Sequence, residues 1–128
     1  MNRIKTVLVL LTLTAYPLIS YAVQPKIGSS VDGGIFLYRE AVEGGWDDWI
    51  AFPLMPKSNI PTTGQARATI TGEGKTAYFI GNLSINCENG KHFWESAGSF
   101  SKFLTNEEQA DEIVPPSVIE NAIRLFCK

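Results

Sequence analysis

The chain has 128 residues, with 11 basic and 13 acidic side chains, one histidine and a formal net charge of −2 at pH 7. Its Lys and Arg residues are scattered singly, which argues against nucleic acid or an anionic membrane surface as a partner, since both demand clustered cations. A chain of this length allows one domain with a single, modest core.

The N-terminus carries Arg3 and Lys5, then an uncharged apolar stretch (TVLVLLTLTAYPLI), and then Ser20 and Ala22 as small residues ahead of Val23. That is the three-part pattern of a secretory signal peptide, so residues 1–22 are expected to be removed. A membrane anchor would need an apolar run of roughly 20 residues, and Pro17 interrupts this shorter one. No cysteine stands near Ala22 to carry a lipid. The expectation is a single exported domain, residues 23–128, periplasmic or secreted, not lipid-anchored and without a membrane span. Cleavage removes two basic residues and no acidic one, so the mature domain is the more acidic form.

Export also fixes the reading of the two cysteines, Cys87 and Cys127. In an oxidising compartment they are expected to be joined, which removes them from the catalytic candidates. The chain-entropy model values closure of a loop of about 40 residues at roughly 4 kcal/mol.

In chain order, residues 24–30 read as a mobile or weakly paired arm. Gly34 to Val42 reads as a strand bounded by glycines, and Gly44-Gly45 as the turn into a second extended segment from Trp46 to Leu54. Residues 56–64 (PKSNIPTTG) read as a crossing loop. From Gln65 to Thr71 the sequence alternates, with Ala66, Ala68 and Ile70 on one face, and Gly72-Glu73-Gly74 offers a turn. The run Thr76 to Cys87 alternates again, placing Phe79, Leu83, Ile85 and Cys87 toward the core, with Gly81 as a candidate bulge. Asn89-Gly90 signals a two-residue hairpin into a strand over Lys91–Ala97, which Ser99–Leu104 continues or follows.

Thr105 to Glu112 is acidic, with Thr105 and Glu108 at capping-box spacing. Pro115-Pro116 precedes a final helix expected to be capped by Ser117 and Glu120, with Ile119, Ala122, Ile123 and Phe126 on its apolar face. The fold class is α+β: an antiparallel sheet of four to six strands with a C-terminal helix packed on it and one disulfide.

Candidate chemistry is sparse. His92 is the sole histidine, so no His-based metal cluster can form. A small hydrolase centred on His92 would draw on Ser96, Ser99 or Ser101, but no nucleophile-elbow motif accompanies them. Trp46, Asp47, Asp48 and Trp49 form an aromatic and acidic cluster suited to a sugar, a cationic side chain or a calcium ion, although the favoured reading is a hairpin in which both tryptophans bury on the sheet and the aspartates mark its rim. Two carboxylates fall short of the roughly 6 to 8 oxygen ligands of calcium, so no metal is assigned. The glycine stretches lack the Lys-Ser/Thr of a phosphate loop, and no cofactor is expected. Glu107, Glu108, Asp111 and Glu112 are a candidate face for a basic partner, with Trp94 or Trp46 as anchoring aromatics.

The residues Ile85-Asn86-Cys87-Glu88, a charged turn, a further strand, an acidic insert, Val114-Pro115-Pro116-Ser117 and the terminal Leu125-Phe126-Cys127 resemble the surface-adhesin protein E-like domains of bacterial envelopes. The resemblance covers about the last 50 residues. It implies an exported sheet-and-helix domain with one disulfide, and a non-enzymatic function in binding proteins. The framework positions that match are Cys87, Pro115, Pro116, Ser117 and Cys127. Without a lipid-anchoring cysteine, a soluble periplasmic or secreted relative is expected. The other expectation of this kind is a periplasmic inhibitor or immunity protein against a cationic enzyme or toxin.

Overall fold

A computed structural model describes residues 23–55, 65–99, 102–103 and 107–128. The expected signal peptide, the expected crossing loop at 56–64, Ser101 and the expected capping residue Thr105 lie outside these residues. Seven strands make one sheet: β1 (Ser30–Val31), β2 (Gly34–Val42), β3 (Gly45–Pro53), β4 (Gln65–Gly74), β5 (Tyr78–Asn86), β6 (Lys91–Ser99) and β7 (Lys102–Phe103). They are joined in sequence order, every neighbour antiparallel. The five long strands fall within the expected range, and a two-residue strand extends each edge. Two helices follow, α1 (Glu107–Ile113) and α2 (Pro116–Phe126). The fold is α+β.

Alternation decides which face of the sheet each side chain meets. Trp49 and Ala51 of β3, Ala68 and Ile70 of β4, and Phe79, Leu83 and Ile85 of β5 are all buried on the face that Ala110, Val114, Val118, Ile119 and Ala122 of the helical segment cover. A row of aromatics organises this core. Trp49, Gly72 and Phe79 stand in register on three adjacent strands, and the two rings meet at 5.7 Å. Phe79 then meets Trp94 of β6 edge-on at 5.3 Å. A Cβ at Gly72 would lie 2.4 Å from the Trp49 ring, so the ring packs where a side chain would otherwise stand.

Several local expectations shift. Gly72, Glu73 and Gly74 extend β4 rather than turn it, and the reversal falls at Lys75–Ala77. The bulge is not at Gly81 but in β6, where Glu95 is the extra residue between Leu83↔Trp94 and Asn82↔Ser96. Gly81 instead leaves room for the Phe79 and Trp94 rings. The β5–β6 connection uses four residues, Cys87 to Gly90, so Cys87 sits in the turn. Its geometry comes from the Gly90 amide donating to Asn86 O at 2.8 Å, with Gly90 at positive φ. The N-terminal arm is tied down: the Gly28 amide donates to Phe36 O and the Phe36 amide to Ser29 O.

Helix α2 starts one residue before Ser117, so the capping box does not form. Pro115 is the N-cap, without a side-chain bond, and Pro116 occupies the first turn, where its missing N–H costs nothing and its fixed φ suits the helix. The helix is fastened at three points. The Asn121 side-chain amide donates to Leu37 O at 2.7 Å, a carbonyl that a bulge in β2 turns away from β3. Leu125 packs at Gly28. Cys127, the C-cap, is bonded to Cys87.

Candidate functional site

Asp47 and Asp48 do not converge, because neighbours on a strand point to opposite faces. Asp47 is buried on the helix side, where it clamps the β4–β5 turn by accepting from the Thr76 amide at 2.8 Å and from the Thr76 hydroxyl at 2.5 Å. Burial pushes its carboxyl up, but the bonds from Thr76, Ala77 and Lys75 outweigh that and leave it below the ordinary aspartate range. Cross-strand from it, burial and the Asp47 charge push the Glu40 carboxyl up, partly offset by the Trp49 indole. Trp49 itself is a core residue whose buried Nε1 lacks a partner in hydrogen-bond geometry.

The acidic segment forms α1, and one of its carboxylates points back to the sheet. Asp111 Oδ1 accepts from Trp94 Nε1 at 2.9 Å and lies 3.0 Å from His92 Nε2. This shared oxygen docks α1 on β6. Glu108 and Glu112 face solvent, and Glu107 opens the helix. A carboxylate holding an imidazole is two members of a triad, but the two described candidate serines stand apart. Ser96, paired with Asn82, lies on the opposite face, and Ser99 is seven residues along β6, roughly 20 Å at strand rise.

The face of the sheet turned away from the helices has a different character. Trp46 lies there, half-buried beneath the Arg39 guanidinium, which sits 4.4 Å from its ring centroid. Arg39 also grips Asp48 with two parallel bonds of 2.7 and 3.0 Å. Farther along, Arg67 makes the same fork to Glu95, at 2.7 and 3.0 Å, and donates to the Met55 carbonyl. Both arginines of this face are therefore committed to carboxylates of the same face. Among them stand three large side chains at solvent: Tyr78 (53% exposed), Ile80 (55%) and Phe93 (42%).

Register orders the middle of this face. Arg39, Asp48, Glu73 and Tyr78 are successive cross-strand partners from β2 to β5, and Ile50, Thr71 and Ile80 form the next row. Of the expected site residues, Trp46 and Asp48 belong here. Asp47 and Trp49 belong to the helix side, and Trp94 and Asp111 to the α1 contact.

Sequence reasoning passed over Arg39, Glu73, Tyr78 and Ile80. The signal for Tyr78 and Ile80 was present, since they occupy the even positions of a run whose odd positions are core. Side by side at the solvent-facing parity of β5, the two build an exposed apolar strip.

The chain matches no family model, no curated protein and no solved structure. Among the described residues, no helix is long and apolar enough to cross a membrane.

Proposed function

We propose that this is an exported protein-binding domain, periplasmic or secreted and non-enzymatic, that docks its partner on the sheet face opposite the helices. One observation carries the reading: no described helix covers that face, and it holds Tyr78, Ile80 and Phe93 at solvent. Aromatic and aliphatic side chains on a rigid strand are effective anchors because they lose little freedom on contact. The Cys87–Cys127 bridge supports an oxidising location, and the resemblance to the adhesin E-like domains agrees with both location and binding.

Two classes of partner fit. Host or matrix proteins follow from the resemblance, and a cationic enzyme or toxin follows from the acidic balance of the domain. The test is a pull-down with the oxidised domain secreted by an expression host, followed by reconstitution with the purified partner. Ile80→Arg is expected to weaken the reconstituted complex by about tenfold or more, whereas Glu120→Lys on the exposed side of α2 leaves it unchanged. Recovery of a basic secreted enzyme favours inhibition, and matrix proteins favour adhesion. A partner that binds equally well to both variants would remove the open face from the reading.

A further inference from the structure

The connection between β5 and β6 holds the only asparagine in the chain that a glycine follows, Asn89 before Gly90. Asparagine carries a labile side-chain amide, and its lability depends on the next residue. The backbone nitrogen of that residue can attack the side-chain carbonyl carbon, and a side chain beside the nitrogen hinders the approach. Every other asparagine precedes a residue that has a side chain. At Gly90 the way is clear, since a Cβ there would meet no described atom within 4 Å, and both Asn89 and Gly90 are exposed.

The fold brings the reacting groups together and then restrains them. Asn89 Oδ1 accepts from the Lys91 amide at 2.9 Å, an Asx turn whose ring encloses the Gly90 nitrogen. The Gly90 amide donates to Asn86 O at 2.8 Å, which commits its proton and restrains the plane of its peptide. Attack needs that proton gone and that plane rotated toward the Asn89 side chain, so this bond must break first. Two further ties resist the opening. Asn86 Oδ1 accepts from the Glu88 amide at 3.0 Å, and Cys87, within the same connection, is bonded to Cys127 at the end of α2.

We propose that Asn89 is a deamidation site guarded by the Cys87–Cys127 bridge. In the opened turn the Gly90 nitrogen bonds to Asn89 Cγ, its proton passing through water to the side-chain nitrogen, which leaves as ammonia. The ring so closed is a succinimide. Water then opens it at either carbonyl and gives aspartate or isoaspartate. Either product puts a new carboxylate beside Glu88, and isoaspartate also lengthens the main chain within the turn. Reduction of the bridge is reversible, whereas this change is not, so Asn89 keeps a record of bridge opening.

The test compares the disulfide-bonded domain, the same domain under a phosphine reductant and the urea-unfolded chain, all at neutral pH. Conversion is followed by peptide mass mapping with isoaspartyl labelling. It is expected at Asn89 ahead of every other asparagine, at least about tenfold slower in the oxidised fold than in urea, with the reduced domain in between. Amide hydrogen exchange locates the opening: on reduction, Gly90 should lose protection while Ile70 and Ile80 of the central strands keep theirs. Asn89→Gln should abolish the conversion, because the longer side chain closes a larger ring far more slowly. Equal rates in the oxidised and urea samples, or another asparagine converting first, would overturn the inference. So would Gly90 protection that reduction leaves unchanged, or that is lost only together with that of Ile70 and Ile80.

Discussion

The two faces of this sheet solve different problems with similar residues. On the helix side, Trp49, Phe79 and Trp94 are buried in a continuous row under α1 and α2, and the carboxylates there, Asp47 and Asp111, hold turns and helices in place. On the open side, Trp46, Tyr78 and Phe93 stay partly or largely in water, and the carboxylates Asp48 and Glu95 are matched to arginines across strands. An aromatic on the first face is worth its burial. On the second it stays partly in water. Substitutions on the helix side should therefore cost stability, and those on the open side should cost binding.

The largest effect expected on the helix side is loss of the disulfide. Cys127→Ser frees the end of α2 from the β5–β6 turn and should lower the unfolding free energy by about 4 kcal/mol in urea titrations. A loss under about 1 kcal/mol would mean that the unfolded chain gains little freedom and that other contacts hold α2. Next comes Gly72→Val, which drives a side chain into the Trp49 ring and should cost about 1–3 kcal/mol by the same measurement. Retained stability would show that the aromatic row is loosely packed.

Asp47→Asn should cost about 2 kcal/mol at neutral pH, because it weakens the clamp on Thr76. The pH profile carries a sign. Folding lowers the Asp47 carboxyl, so its contribution is present above about pH 4 and is lost as pH falls through the folded value. Asp47→Asn should flatten that acid limb. Glu40 works in the opposite sense. Its carboxyl is raised by burial and the Asp47 charge, so its contribution is full below the unfolded value, near pH 4.5, and is lost as pH rises through the folded one. Glu40→Gln should then make stability less dependent on pH in that window and slightly higher at pH 7.

The smallest change in stability is expected on the open face. Ile80→Arg and Glu73→Gln should each alter it by less than about 0.5 kcal/mol, since both side chains are exposed. A large loss from either would erase the contrast between the faces.

Much of the helix side was legible in the sequence because it depends on local periodicity. The alternation over Gln65–Thr71 and Thr76–Cys87 gave the core parity of Ile70, Phe79, Leu83 and Ile85, and Pro115-Pro116 marked where the last helix begins, although it starts on Pro116 and not after it. The bridge followed from the expectation of export and a cysteine pair. The open face was far less legible, because its rows are made between strands. Arg39 meets Asp48, and Glu73 meets Tyr78, only through register, and register depends on the lengths of the turns and on the extra residues Leu37 and Glu95. Phe36-Leu37 and Trp94-Glu95 give no periodic signal that one residue will be left unpaired. The grouping of Asp47 with Asp48 failed for a simpler reason. Adjacent residues of a strand take opposite faces unless a bulge intervenes, and none falls at Asp47 and Asp48, so a cluster in sequence became two separate devices.

The most direct measurement of the central claim is site-specific photocrosslinking in the native host, with a photoreactive phenylalanine analogue at Ile80 or, as the control, at Glu120 on α2. The account predicts an adduct with one defined protein from the Ile80 position only. Adducts formed equally from both positions, or only from Glu120, would contradict it.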